Sequence, residues 1–487
     1  MASRIAIVGA GWAGIAAAVE LTARGHAVTL YEAARVAGGR ARRIGGTDDK
    51  DGHHAKDALD NGQHILIGAY TETLALMRRV GVDPDRVLHR QPLALQHPDG
   101  SGLRLPDLPA PWDVAIGVLR ARGWSLRDRW GLLRAAAGWR ASGFACDPAW
   151  TVQRLCDGLP PCVMAELVEP LCVSALNTPA DQASAQVFLT VMRDALLGPR
   201  GSSHLLIPRC DLSALLPEPA TAWLQAYGAQ VRLGQRVSTL TRVTTPQGIA
   251  AHSTAADAPR TAAWQVEQDL FDAVVLACPA WEAARLVSQA ALAGDDTAHA
   301  AHEAQLRAWA KAAASLRHEA ITTVYLRGVP ALPEPMWSLR SGPGAPAQFV
   351  FDRAQLIDDG GSDNVKAFVI SASDGDRDSL TAQVMQQAQA LGWHNLQPVQ
   401  TVVEKRATFA CTPGLQRPAR AVAPGLCLWA CGDYTEGPYP ATLEGAVRSG
   451  LAVADAVEGA VAGAVEGAVA PRLRPTPDRT SPTRLPP

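Results

Sequence analysis

The chain has no run of about 18 uninterrupted apolar residues, so no segment reads as a helix that spans a bilayer. It has no C-x-x-C pair among its nine cysteines, and an odd, scattered set argues against both a disulfide framework and a zinc ribbon. A reducing compartment fits this usage. Lysine is scarce, at positions 50, 56, 311, 366 and 405 only, and with 45 cations against 47 acids the net charge is -2. No global basic field exists to recruit nucleic acid. Aromatics make up 5%, which argues against a cage of rings around an amine. Ile5 to Val8 runs straight into a glycine-rich turn that cleavage would sacrifice, so a secretory signal is not expected.

What is present excludes a mainly disordered chain: 47% hydrophobic and 19% charged residues are ordinary globular usage. At about 150 residues per domain, 487 residues make about three units, or two if one is discontinuous.

The first forty residues are the most informative. Ile5 to Val8 reads as a strand, Gly9, Gly11 and Gly14 as a turn, and Ile15 to Ala23 as an alanine-rich helix. Gly9 permits the tight turn, Gly11 lets backbone approach a pyrophosphate, and Gly14 lets helix and strand pack closely. Trp12 and Ala13 fall at the helix start, where unpaired N–H groups and the positive dipole end suit an anion. The next strand, Ala27 to Tyr31, ends at Glu32, placed to accept hydrogen bonds from ribose hydroxyls and to disfavour a 2'-phosphate. Gly39 and Arg40 then suit a second pass beside the pyrophosphate and ribityl chain of FAD; a solvated basic turn is the competing reading. At the other end of the chain, Gly432 and Asp433 follow an apolar strand, and Thr442 and Leu443 open a helix whose N-terminus can face the flavin.

These segments together resemble the flavin-containing amine oxidase and phytoene desaturase superfamily. The Asp60-Asn61-Gly62-Gln63-His64 block, Ala175-Leu176-Asn177-Thr178, Leu206-Ile207-Pro208-Arg209, Lys405-Arg406-Ala407-Thr408-Phe409 and Pro440-Ala441-Thr442-Leu443-Glu444-Gly445-Ala446 resemble the hydroxysqualene dehydroxylases of bacterial hopanoid pathways. The resemblance implies an α/β, interleaved two-domain FAD-binding fold. Residues 1–84, 205–284 and 416–458 would form a Rossmann-like FAD domain. Residues 85–204 and 285–415 would form a substrate domain, with a mixed sheet flanked by helices, and 459–487 a disordered tail. It places Val237 beside adenine. It implies a long-chain isoprenoid substrate: hydroxysqualene, whose allylic hydroxyl leaves as water while reduced flavin gives hydride. An isoprenoid desaturase or an amine oxidase is the alternative, with hydride moving the other way; a prenyl-binding protein without redox work is a remote one.

Such a reaction requires an acid within reach of the hydroxyl. The candidates are His64, Asp60, Tyr439 and Glu436, with His64 favoured because an imidazolium donates near neutral pH. A hydrogen-bonded core histidine is the ordinary alternative. Asp48, Asp49, Asp51, His53, His54 and Asp57 resemble metal ligands by type only, and no metal is expected. Between Pro111 and Trp139, tryptophans alternate with arginines. This reads as a helix pair lying in a bilayer interface, or as a hairpin with inward rings and solvated cations. The expected location is the cytoplasm or the inner face of the cell membrane, in association with other squalene-forming enzymes.

Overall fold

The computed structural model describes residues 2–45, 59–243, 263–292, 297–357 and 364–468. The acidic and histidine-rich cluster at 48–57 lies outside the described residues.

Near-continuous apolar runs, Ile5-Ala6-Ile7-Val8 and Ala273-Val274-Val275-Leu276, are buried on both faces, as parallel strands are when helices cover each side. They sit at the centre of a six-stranded sheet. Its order is Gln230–Leu233, Ala27–Glu32, Arg4–Val8, Ala273–Leu276, Leu428–Ala430 and Ala421–Ala423. All pairs are parallel except the last, which is antiparallel. One sheet is thus built from three distant parts of the chain. Helix Trp12–Ala23 packs on it, and helix Leu443–Ala468 packs on that helix. The contact is close: a Cβ on Gly450 would stand 2.3 Å from the Ala13 carbonyl oxygen.

The second sheet is five-stranded, in the order Met336–Ser338, Phe349–Asp352, Lys366–Ser371, His318–Arg327 and Gln397–Phe409. It was expected to be mixed; every pairing is antiparallel. Short connections from Arg327 to Met336 and from Ser338 to Phe349 leave no room for the crossover that parallel strands require. Helices Trp112–Arg120, Leu126–Ala141, Glu169–Leu176 and Ala185–Leu196 belong to the same half. Leu88–Gln91, expected with the substrate side, pairs with Leu205–Pro208. The tail expectation also changes. The last helix runs through Ala468, the alanines after Gly459 being strong enough helix formers to carry it past Gly463 and Gly467; 469–487 lie outside the described residues.

Candidate functional site

Two glycine turns lie against each other at the carboxyl ends of the central strands. Gly9 has φ +114°, and a Cβ there would meet the Ala277 carbonyl carbon at 2.7 Å. The Gly9 N–H donates to the Tyr31 carbonyl at 2.7 Å, and the Gly38 N–H to the Ala10 carbonyl at 2.8 Å. Gly11 and Gly38 form a parallel bridge. A Cβ on Gly11 would meet nothing nearer than the Gly39 Cα, at 3.9 Å. Helix Trp12–Ala23 begins at Gly11 with no side-chain cap, so its first N–H groups remain available to an anion.

The side chains of Trp12 and Ala13 are buried, and the Trp12 indole N–H donates to the Ala41 carbonyl at 3.2 Å. What this pair offers a phosphate is backbone. Glu32 is fixed from both sides: Oε2 accepts from the Ala10 N–H and Oε1 from the Ala34 N–H, each at 2.8 Å. Remaining lone pairs on both oxygens suit ribose hydroxyls. The Gln235 N–H donates to the Glu32 carbonyl at 2.8 Å, which brings the segment of Val237 alongside; Val237 itself is buried.

Arg40 and Asp433, 393 positions apart, are joined at 2.5 Å. Arg40 also donates to the Ala407 carbonyl on the long strand Gln397–Phe409. Burial works against the Arg40 charge, but Asp433 and Glu404 outweigh it and hold its pKa above the ordinary value. Asp433 is buried, and Gly432 before it must lack a side chain, since a Cβ would fall 2.5 Å from the Tyr434 ring. Thr442 Oγ1 accepts from the Gly445 N–H at 2.9 Å and caps the final helix, and Leu443 packs into the core beneath the parallel sheet. The uncapped helix, the open space above Gly11, the anchored acid and the paired arginine fit a flavin dinucleotide laid across both turns.

The four acid candidates separate. His64 lies near Arg40. Burial first, and then the Arg40 charge, push its pKa below the ordinary 6.5. Its Nδ1 is 3.1 Å from the Gly62 carbonyl oxygen, which can only accept, so Nδ1 carries the proton. In neutral His64, Nε2 is then an acceptor. Asp60 is turned into the interior. One carboxylate oxygen accepts from the Leu212 N–H at 2.9 Å, the other meets Arg353 at 3.3 Å, and burial raises its pKa to about 6. The Tyr439 hydroxyl donates to Asp194 at 3.0 Å, and Glu436 is exposed.

Three neighbours were not singled out from the sequence. The Asn61 side chain donates to the Arg40 carbonyl at 3.0 Å and to Glu404 at 3.1 Å. His318 stands edge-on to Trp281 at 5.1 Å, and the Arg406 guanidinium lies 4.5 Å above the same indole. Burial, Arg40 and Arg406 together lower the His318 pKa. Glu404 precedes the Lys405-Arg406-Ala407-Thr408-Phe409 segment and Arg406 lies within it, so a signal existed; its meaning depended on which face of the strand met Arg40.

A family model described as flavin containing amine oxidoreductase matches residues 12–458. A hydroxysqualene dehydroxylase from Rhodopseudomonas palustris is 29% identical over 94% of this chain and 99% of its own length. One from Zymomonas mobilis is 26% identical over 92% and 97%. Among solved structures, an oxidoreductase from Methanosarcina mazei superposes with a TM-score of 0.62 at 15% identity, over 93% of this chain and 100% of that one; this likeness shows the fold. With its glycine turns, its anchored acid and its N-terminal Arg40 joined to C-terminal Asp433, the chain belongs to the flavin containing amine oxidoreductase family, and it is an FAD-dependent oxidoreductase.

Proposed function

We propose that this chain reduces hydroxysqualene, an allylic C30 alcohol, to squalene. The observation that carries the reading is the similarity to hydroxysqualene dehydroxylases from end to end, over 94% of this chain and 99% of one relative. When bound, reduced FAD supplies hydride, and two electrons with it, to the carbon that loses oxygen. The backbone at Gly9, Gly11 and Gly39, with Glu32, Arg40, Asp433 and the Thr442-capped helix, holds the cofactor. The protein's remaining tasks are to keep the site dry and to give the leaving hydroxyl a proton, so that the C–O bond breaks with release of water.

His64 is our candidate for that proton. In its neutral tautomer Nε2 accepts, so it acts as an acid only after taking up a proton from solvent. Because burial and Arg40 lower its pKa below 6.5, the competent form is a minority at neutral pH and grows as pH falls. Asn61 holds Glu404 next to Arg40 and keeps the cation there compensated while His64 is charged.

The test is anaerobic incubation of the reduced protein with hydroxysqualene, with squalene measured at several pH values. One squalene per flavin is expected, with a rate that rises as pH drops and a midpoint below 6.5. His64→Gln should retain bound flavin and lose the acid-dependent limb. Absence of squalene despite reduced flavin overturns the reading, and conversion of squalene or phytoene by the oxidised protein assigns a desaturase.

A further inference from the structure

Of the ten large apolar side chains exposed among the described residues, six come from one stretch: Leu108, Trp112, Leu119, Leu126, Trp130 and Trp150. Trp112 is 64% exposed, Leu126 70% and Trp130 67%. They are not scattered. On helix Trp112–Arg120, Ile116 and Leu119 continue the line of Trp112, four and seven positions on. On helix Leu126–Ala141, Trp130 continues the line of Leu126 four positions on, before half-buried Leu133 turns to the core. Each is one stripe on one helix face.

These stripes are not a core face in the wrong place. Val118, Trp124 and Leu132 bury the inward side, and the Trp124 indole donates to Glu166 at 2.9 Å. Trp124 is thus turned inward, as a hairpin with inward rings requires, while Trp112 and Trp130 are turned outward.

Arginine predominates among the exposed charges around the stripes. Arg120, Arg122, Arg127, Arg134 and Arg140 are all exposed, and none is in an ion pair. Of the nearby acids, Asp107 pairs with Arg200, Asp113 is buried and Asp128 closes the capping box with Ser125, which leaves Asp147, beside Trp150, as the exposed acid outside any ion pair. Free guanidinium groups interleaved with outward tryptophan and leucine complement phosphate headgroups above acyl chains. An acidic protein surface would satisfy the cations and leave the apolar stripes without a partner.

We propose that this helix pair seats the protein on an anionic lipid bilayer. The inference rests on the exposed side chains and does not depend on which isoprenoid is turned over.

Flotation of the full flavin-loaded chain with vesicles of phosphatidylcholine, alone or mixed with phosphatidylglycerol, tests it. Binding to the mixed vesicles is expected, weakening with added salt. Reversing three charges, Arg122→Glu, Arg127→Glu and Arg134→Glu, should lower partitioning on the order of a hundredfold or more. Trp112→Ser with Trp130→Ser should abolish the salt-resistant remainder. All five positions are exposed, so circular dichroism and flavin content should not change, and detergent-dispersed hydroxysqualene should be turned over as by the wild type. That separates loss of docking from failure of the proposed reaction. The proposal fails if the wild type does not float with anionic vesicles at low salt, or if the variants float as it does. It also fails if the face binds immobilised polyglutamate and no vesicle.

Discussion

A methyl group means different things at Gly14 and at Gly11. At Gly14 it would stand 1.9 Å from the Gly9 carbonyl oxygen and 2.9 Å from the Ala277 side chain, in backbone that cannot yield without parting helix from strand. At Gly11 the nearest atom is the Gly39 Cα at 3.9 Å, so the fold has room and the methyl occupies space left for the dinucleotide. Gly14→Ala should therefore destabilise the flavin-free protein by about 1–3 kcal/mol or more. Gly11→Ala should leave its melting temperature unchanged and weaken FAD binding by about tenfold or more, the effect of losing roughly one good backbone hydrogen bond. Thermal melts without FAD, beside a fluorescence titration with FAD, separate the two. If Gly11→Ala binds FAD as the wild type does, the turn does not lie along the cofactor.

Helix Thr71–Arg79 begins at Tyr70 with no side-chain cap of its own. Its cap comes from Glu444, on the last helix and 371 positions from Thr73. That carboxylate accepts from the N–H groups of Glu72 and Thr73 at 3.1 and 2.9 Å, and from the Thr73 hydroxyl at 2.7 Å. Arg448, one turn on, donates to it at 2.7 Å. Glu444 is only 1% exposed, so these groups have no water to replace it. Glu444→Ala should cost about 2–4 kcal/mol, a cap together with buried donors left unpaired. Hydrogen exchange at Glu72 and Thr73 should rise more than elsewhere in the helix. A change spread evenly over the molecule would show that Glu444 contributes packing alone. This element also marks how far the sequence could be read. The strands at Ile5, at Ala27 and before Gly432 and the turns at Gly9 and Gly432 were legible because apolar runs and glycine spacing are local signals. The role of Glu444, the approach of Glu404 to Arg40 and the turning of Asp60 toward Arg353 were not, because each depends on which elements the topology makes neighbours. For the same reason the second sheet was expected to be mixed and not antiparallel.

At the scale of the whole molecule, the parallel-sheet half and the antiparallel half are tied by a buried ion pair. Asp60 and Arg353, 293 positions apart, are 2% and 5% exposed. The Asp60 carbonyl also accepts from the Tyr325 hydroxyl at 2.9 Å, so the short strand Leu59–Asp60 reaches the second sheet through its backbone and the helix beside that sheet, Arg353–Leu356, through its side chain. Burial raises the Asp60 pKa from 3.8 to about 6, with Arg353 pulling in the opposite direction. An acid whose folded pKa exceeds its unfolded one holds its proton more tightly when folded. Its contribution to stability is therefore complete below about pH 4 and is lost as pH rises through about 6. Asp60→Asn cannot titrate. Relative to it, the wild type should lose about 2–3 kcal/mol of unfolding free energy between pH 4 and 7, read from denaturant melts at each pH. At pH 7 Asp60→Asn should be at least as stable as the wild type, because it stays neutral where burial disfavours the ionised carboxylate. Parallel stability curves for wild type and Asp60→Asn would mean that Asp60 titrates alike in both states. The join between the halves would then rest on the hydrogen bonds of Tyr325, Arg40–Ala407 and Asn61–Glu404 and on apolar packing.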